Sequence, residues 1–142
     1  MIRFFNIKNL PKVFKNIHIK SIGKEIEKVL NVKENINIVF VISPKIRQLN
    51  KKYREKDEVT DVLSFNIDSE SVLGEVYVCP KYLINTVAGE NVEEQFVRVL
   101  VHGILHLQGY DHTKKFDKFD YKNEPMYIKQ EEILNKILRR KT

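Results

Sequence analysis

Three of the four histidines in this 142-residue chain lie in one short stretch, at positions 102, 106 and 112. Two histidines four residues apart on a helix project from the same face, one turn above the other, so their imidazole nitrogens can bind one ion. His102 and His106 have this spacing. Gly109 is the residue type that ends a helix in the left-handed conformation and reverses the chain. That reversal can bring His112 back towards the other two, so the spacing predicts a three-histidine metal site.

The alternative role for these histidines is that of hydrogen-bonded core residues, which is the commoner role of a histidine in an apolar helix. Apolar side chains form two adjacent rows on the predicted helix: Phe96, Leu100, Ile104 and Leu107 in one, and Val97, Val101 and Leu105 in the other. The narrow polar stripe that remains holds Gln95, Arg98, His102 and His106. The histidines therefore occupy the one face that the core does not use, which favours metal binding.

The spacing H-x3-H-x2-G-x2-H matches the metal-binding pattern of the metzincin proteases, H-E-x-x-H-x-x-G-x-x-H. Position 103 is glycine, where those proteases have the glutamate that acts as general base. Three nitrogen ligands with no evident fourth protein ligand indicate one zinc ion per chain with an open coordination position, as in catalytic zinc sites. The sequence thus predicts the zinc ligands of such a protease without its proton acceptor.

Residues 102–112, HGILHLQGYDH, resemble the signature of the YbeY family, bacterial zinc-dependent endoribonucleases implicated in rRNA maturation. Glycine after the first histidine belongs to that pattern. Three other segments resemble the family: residues 50–65, 73–78 and 126–134. Asn66 stands where the family is expected to have proline, which we expect to affect a loop more than the chemistry, and Glu75 stands where aspartate is expected. The resemblance covers about the last two thirds of the chain.

The resemblance implies a single-strand-specific endoribonuclease that acts in rRNA maturation, including 3′-end processing of 16S rRNA, and in ribosome quality control. It implies RNA and ribosomal particles as partners, and neither DNA nor a membrane. Arg54 matches a family arginine thought to act at the active site, and we predict Arg54 and His102 as catalytic residues beside the ligands His102, His106 and His112. Asp111 either orients a histidine or braces the loop after Gly109, and the structural role is favoured.

The predicted site suits phosphodiester chemistry. Zinc held by three imidazoles lowers the pKa of a bound water to about 7. A guanidinium such as that of Arg54 matches phosphate geometry better than an ammonium group. Two alternatives remain open. A peptidase would share the zinc ligands but needs a glutamate at position 103, and a non-catalytic ribosome assembly factor could use zinc for folding alone.

Composition sets wider limits on the chain. Its length and its 42% hydrophobic and 31% charged residues indicate one globular domain, residues 1–142. The formal net charge of +6 favours a polyanionic partner. Residues 45–56 hold the densest basic cluster, although most of its lysines are equally explained as a solvated helix face. No membrane span or signal peptide is evident, so a cytoplasmic location is expected. Cys79 is expected to be a packed residue and His18 a surface residue.

Hydrophobic periodicity predicts an α+β fold with a four-stranded mixed sheet packed by about five helices. The predicted strands span residues 1–7, 35–42, 62–67 and 73–79, and the last two are predicted to pair antiparallel. Three predicted helices span residues 19–30, 80–88 and 91–108, and two more begin at positions 43 and 124. Ser43 is the predicted N-cap of the second helix, whose buried row is Ile46, Leu49 and Tyr53. Ile42 is expected to face the core, and residues 113–123 to form a lid or rim.

Overall fold

The computed structural model describes residues 1–14, 17–86, 91–110 and 124–141. Within these ranges the strands are β1 (Ile2–Phe5), β2 (Asn35–Phe40), β3 (Val62–Asn66) and β4 (Val72–Val78). The helices are α1 (Ile19–Leu30), α2 (Ser43–Arg54), α3 (Pro80–Thr86), α4 (Val92–Leu107) and α5 (Pro125–Lys141), with short 3-10 helices at Ile7–Asn9 and Lys12–Phe14. The predicted α+β fold with a mixed sheet and five helices is confirmed.

The sheet has the strand order β1-β2-β4-β3. β1 is parallel to β2 and β2 is parallel to β4, whereas β3 is antiparallel to β4. The predicted mixed sheet and the predicted antiparallel pair are therefore both present. β3 is an edge strand, and its side chains alternate between the two faces of the sheet.

The main core lies between one face of the sheet and the helices α1, α4 and α5. Ile36, Ile38 and Phe40 of β2 are fully buried there, and the ring of Phe40 stacks on Phe96 of α4 with their centroids 6.0 Å apart. Both predicted apolar rows of α4 are buried, from Phe96 to Leu107. None of the helices in the described ranges is long and apolar enough to cross a membrane.

Helix ends follow the local sequence. Asn31 caps the end of α1 in the left-handed conformation, with φ 51°, and Gly109 reverses the chain after α4 with φ 98°. Gly109 ends its helix as predicted, and Asn31 follows the predicted helix 19–30, because asparagine and glycine adopt positive φ at low cost. The side chain of Asn91 caps the start of α4 by accepting a hydrogen bond of 3.1 Å from the backbone N–H of Glu94.

Some local predictions were wrong. β1 ends at Phe5 because Asn6 adopts a left-handed φ of 60°. Ser43 is not an N-cap: it is the first residue of α2, and its hydroxyl lies 3.6 Å from the sulfur of buried Cys79. Ile42 precedes the helix in extended conformation and is 57% exposed, because the strand alternation stops at Phe40.

Tyr53 was also predicted to be buried, and it is 56% exposed. α2 packs on the sheet face opposite α4, around a small cluster that contains Ile46, Leu63 and Cys79. Tyr53 lies near the end of α2, at the margin of that cluster. Helical periodicity therefore predicted correctly which face of α2 carries Tyr53, but not how exposed its side chain is.

Gly103 lies where α4 comes closest to the sheet. A Cβ atom at this position would lie 2.6 Å from Cγ1 of Val76, 3.1 Å from Oγ of Ser64 and 3.2 Å from Cγ2 of Val62. The backbone carbonyl of Gly103 accepts a hydrogen bond of 2.9 Å from the Ser64 hydroxyl. The contact therefore leaves no room for the glutamate that the metzincin pattern has at this position.

We expect Gly103→Ala to lower the free energy of unfolding by about 1–3 kcal/mol through overpacking. This would occur although alanine is favoured over glycine inside a helix by about 1 kcal/mol. Urea denaturation measures the change. In a Val76→Ala background the cost should shrink, because the clashing methyl groups are gone, and a Gly103→Ala protein as stable as the wild type would show that the contact is not tight.

Candidate metal centre

His102 and His106 lie side by side on the polar stripe of α4, and both are half-buried. Their Nε2 atoms face each other across 3.1 Å, and the ring planes stand 80° apart. This follows from their i, i+4 spacing, which places the two side chains one turn apart on the same face. The two predicted ligands thus converge through the ring nitrogens that could bind an ion.

Gln130, on α5, holds the other side of the His102 ring. Its Oε1 lies 2.7 Å from His102 Nδ1, and its Nε2 donates a hydrogen bond of 3.0 Å to Glu131. A carboxylate can only accept, so Glu131 fixes which end of the amide faces His102. In the neutral imidazole Nδ1 then carries the proton that Oε1 accepts, and Nε2 is the unprotonated nitrogen, which is the form that binds metal.

Arg98 completes this chain of hydrogen bonds. Its Nε and Nη2 each donate a bond of 2.9 Å to one oxygen of Glu131, and Nη2 also donates to Glu94 at 3.1 Å. Burial alone would raise the pKa of Glu131, but the hydrogen bonds from Arg98 and Gln130 outweigh it and hold that pKa below its ordinary value. The bond to Glu131 also raises the pKa of Arg98. Arg98 thus anchors α5 to α4, and through Glu131 and Gln130 it helps to hold His102 in place.

The spacing of the two histidines on α4 fits a zinc ion. Nitrogens that are each about 2.0–2.1 Å from a tetrahedral zinc lie about 3.3–3.4 Å apart. The observed separation of 3.1 Å is close to that distance. His112, the predicted third ligand, lies outside the described residues, as do Asp111 and the predicted lid at residues 113–123. Among the described residues no group of three or more His, Cys, Asp or Glu side chains could hold a metal.

A cavity of about 620 Å³ opens beside the histidines. It is lined by Arg54, Thr60, Asp61, Val62, Ser64, Asn66, His102, His106, Gly109 and Tyr110. Arg54 of α2 therefore shares one cavity with two residues of α4, although these residues are far apart in the sequence. His18 is exposed at the start of α1 and does not line this cavity.

A helix-end arginine such as Arg54 could pair on the surface with Glu55, Asp57 or Glu58, but Arg54 forms no ion pair with a described residue. Asp57 instead pairs with Arg47, whose Nε lies 2.8 Å from Oδ1 of Asp57. That hydrogen bond lowers the pKa of Asp57. Arg54 is exposed at the end of α2, where it can reach a ligand in the cavity.

The polar residues at the site that were not predicted from the sequence include Ser64, Asn66 and Gln130. Asn66 is the last residue of β3 rather than part of a loop, and its Nδ2 donates a bond of 2.9 Å to the carbonyl of Leu107. Ser64 and Asn66 occupy alternate positions of β3 and so share one strand face, which was a sequence signal for a polar surface there. Gln130 interrupts the apolar row of α5, which was a second sequence signal, and it is only 5% exposed.

Comparison with known proteins gives consistent matches. The model of the family described as Endoribonuclease YbeY matches residues 5–138. Endoribonuclease YbeY of Thermotoga petrophila is 36% identical over 72% of this chain and 67% of its own length. Endoribonuclease YbeY of Ureaplasma parvum is 32% identical over 94% of this chain and 91% of its own length. The solution structure of TM1509 from Thermotoga maritima matches with a TM-score of 0.65 and 28% identity, covering 96% of this chain and 89% of that one.

We expect Gln130→Leu to weaken zinc binding about 10- to 100-fold, because it removes the acceptor that orients His102. Competition with a chromophoric chelator measures the affinity. Gln130→Glu keeps an acceptor for His102 but places a second carboxylate against Glu131, so it should recover only part of the affinity. Glu132→Gln, on the exposed side of α5, is the matched control and should bind zinc as the wild type does. Wild-type affinity in Gln130→Leu would contradict an orienting role.

Proposed function

The chain belongs to the YbeY family of endoribonucleases, and from this premise we propose that it is a zinc-dependent enzyme that cleaves single-stranded RNA in rRNA maturation. The observation that carries the proposal is that Arg54, His102 and His106 line one cavity. The proposed substrates are rRNA and ribosomal particles, including the 3′ end of 16S rRNA and ribosomes under quality control. The proposed location is the cytoplasm, and the whole chain, residues 1–142, is taken as one domain.

In this proposal His102, His106 and His112 hold one zinc ion per chain. The 3.1 Å separation of the two described Nε2 atoms and the orientation of His102 by Gln130 support the first two ligands. When bound, zinc supplies a Lewis acid beside the phosphodiester. Gln130 of α5 orients the ring of His102 through Nδ1. We retain His102 as a catalytic residue together with Arg54.

Arg54 has a separate role, the binding of phosphate. Negative charge builds on the phosphate oxygens during cleavage, and a guanidinium can donate two parallel hydrogen bonds to them. Arg54 reaches the cavity from α2, a different element from the one that carries the two histidines. The cation and the metal ligands are therefore positioned independently around the same space.

The metallopeptidase alternative is disfavoured by the packing of Gly103. A side chain at that position would meet Val76 at 2.6 Å, so the fold has no room for the protease base. A non-catalytic assembly factor would gain nothing from an arginine placed in the histidine cavity. Incubating the zinc-loaded protein with single-stranded RNA, structured RNA and casein separates the three functions.

Metal analysis of the purified protein should find one zinc per chain. We expect His106→Ala to lose most of this zinc, because it removes one of two nitrogens that face each other. His18→Ala is the matched control, since His18 is exposed at the start of α1, and its zinc content should be unchanged. Full zinc occupancy in His106→Ala would contradict the ligand assignment.

Arg54→Ala should keep the fold and the zinc but slow RNA cleavage about a hundredfold or more, the cost of losing a few kcal/mol of transition-state stabilisation. Arg54→Lys should recover little, because an ammonium cannot form the bidentate contact. Single-turnover cleavage by zinc-replete variants is the measurement.

The matched control is Arg47→Ala, an exposed arginine of the same helix that pairs with Asp57. Exposed ion pairs of this kind contribute little to stability, and Arg47 does not line the histidine cavity, so its cleavage rate should stay near that of the wild type. If Arg54→Ala also cleaves within about threefold of the wild type, Arg54 has no part in the mechanism.

A further inference from the structure

Tyr53 carries an exposed aromatic ring immediately before the proposed phosphate-binding residue. Helical periodicity predicted a buried side chain here, yet the residue is 56% exposed. Tyr53 and Arg54 are the last two residues of α2, and Arg54 lines the histidine cavity. An exposed tyrosine beside a cation is an arrangement typical of nucleic-acid binding, because the ring can stack on a base while the cation binds phosphate.

The ring of Tyr53 is held from the protein side by two further aromatic rings. Its centroid lies 5.1 Å from that of Phe65, which in turn lies 5.9 Å from that of Tyr77. Phe65 and Tyr77 are half-buried on the sheet face opposite α4, and the Tyr77 hydroxyl donates a hydrogen bond of 3.0 Å to Glu75. Tyr53 is therefore the exposed end of a packed row, so a base that stacks on it meets a supported ring.

The charge around the ring suits a polyanion. The ammonium group of Lys52 lies 5.1 Å from the centroid of the Tyr53 ring. Lys51 and Lys56, in the same helix and just after it, are exposed as well. The row thus ends in a basic surface.

We propose that Tyr53 stacks on an unpaired RNA base next to the phosphate bound by Arg54, and so selects single-stranded substrates. Bases in a duplex are already stacked on their neighbours and present no face to a protein ring, whereas unpaired bases do. This inference rests on the proposed function, which it extends by naming the residue that distinguishes single strands. The same surface faces away from the core contacts of α4, so a change there need not disturb the metal ligands.

Binding separates this role from cleavage. The probe is a labelled single-stranded 2′-O-methyl phosphorothioate oligoribonucleotide, whose linkages resist hydrolysis, and fluorescence anisotropy with the zinc-loaded protein gives its Kd. One stacked base changes affinity about 5- to 150-fold when the ring is removed. Tyr53→Leu should therefore raise the Kd at least about fivefold, whereas Tyr53→Phe, which keeps the ring, should stay within about twofold. Phe5→Leu, an exposed ring on the opposite edge strand, is the matched control and should bind as the wild type does.

A second probe tests stacking itself. The same oligomer is prepared with single abasic sites at successive positions. For the wild type one of these positions should raise the Kd at least about fivefold, and in Tyr53→Leu that penalty should largely disappear, because the contact is already lost. Equal Kd values for Tyr53→Leu and the wild type, or the same abasic penalty in both, would overturn the proposal.

The outcomes also distinguish this inference from the proposed function. If the wild type cleaves RNA but its affinity does not depend on Tyr53, only the stacking role fails. If binding depends on Tyr53 but zinc-loaded protein cuts no unmodified RNA, the stacking role stands and the enzymatic proposal fails.

Discussion

The close approach of α4 to the sheet at Gly103 is the contact on which the site depends. A helix that carries an ordinary side chain there would stand farther from β3 and β4, because a Cβ atom would already lie 2.6 Å from Val76. The next residue back along the helix is His102. The distance between helix and sheet therefore sets how far the histidines stand from the β3 residues that line the same cavity.

Burying the polar support of His102 has a cost that the structure offsets with complete hydrogen bonding. Gln130 is 5% exposed, and it bonds both His102 and Glu131. Arg98 then meets Glu131 through two parallel hydrogen bonds. Among the described side chains, none of the buried nitrogen and oxygen atoms lacks a partner. A partly satisfied network would be worse than an apolar one, so these residues act as a unit that holds the His102 ring between two helices.

Much of the fold could be predicted because it follows local rules. Alternation and helical periodicity gave the strands, the helices and the buried rows of α4, and Asn31 and Gly109 marked helix ends through their tolerance of positive φ. Periodicity does not say how far the sheet extends beneath a helix face, which is why the exposure of Tyr53 was missed. Gln130 meets His102 across a long sequence separation, so no local pattern specified that pair. His112 remains a prediction, because it lies outside the described residues.

Two hydrogen bonds attach β3 to α4 at carbonyls one helical turn apart, from Ser64 to Gly103 and from Asn66 to Leu107. A helix attached at one point can swing about it, whereas two attachments along its axis resist both rotation and sliding. The face that carries His102 and His106 is thereby oriented by the protein alone. An ion bound by these two predicted ligands would find them already placed, so little of its binding free energy would be spent on ordering them. The two predicted ligands on α4 are therefore preorganised by the fold.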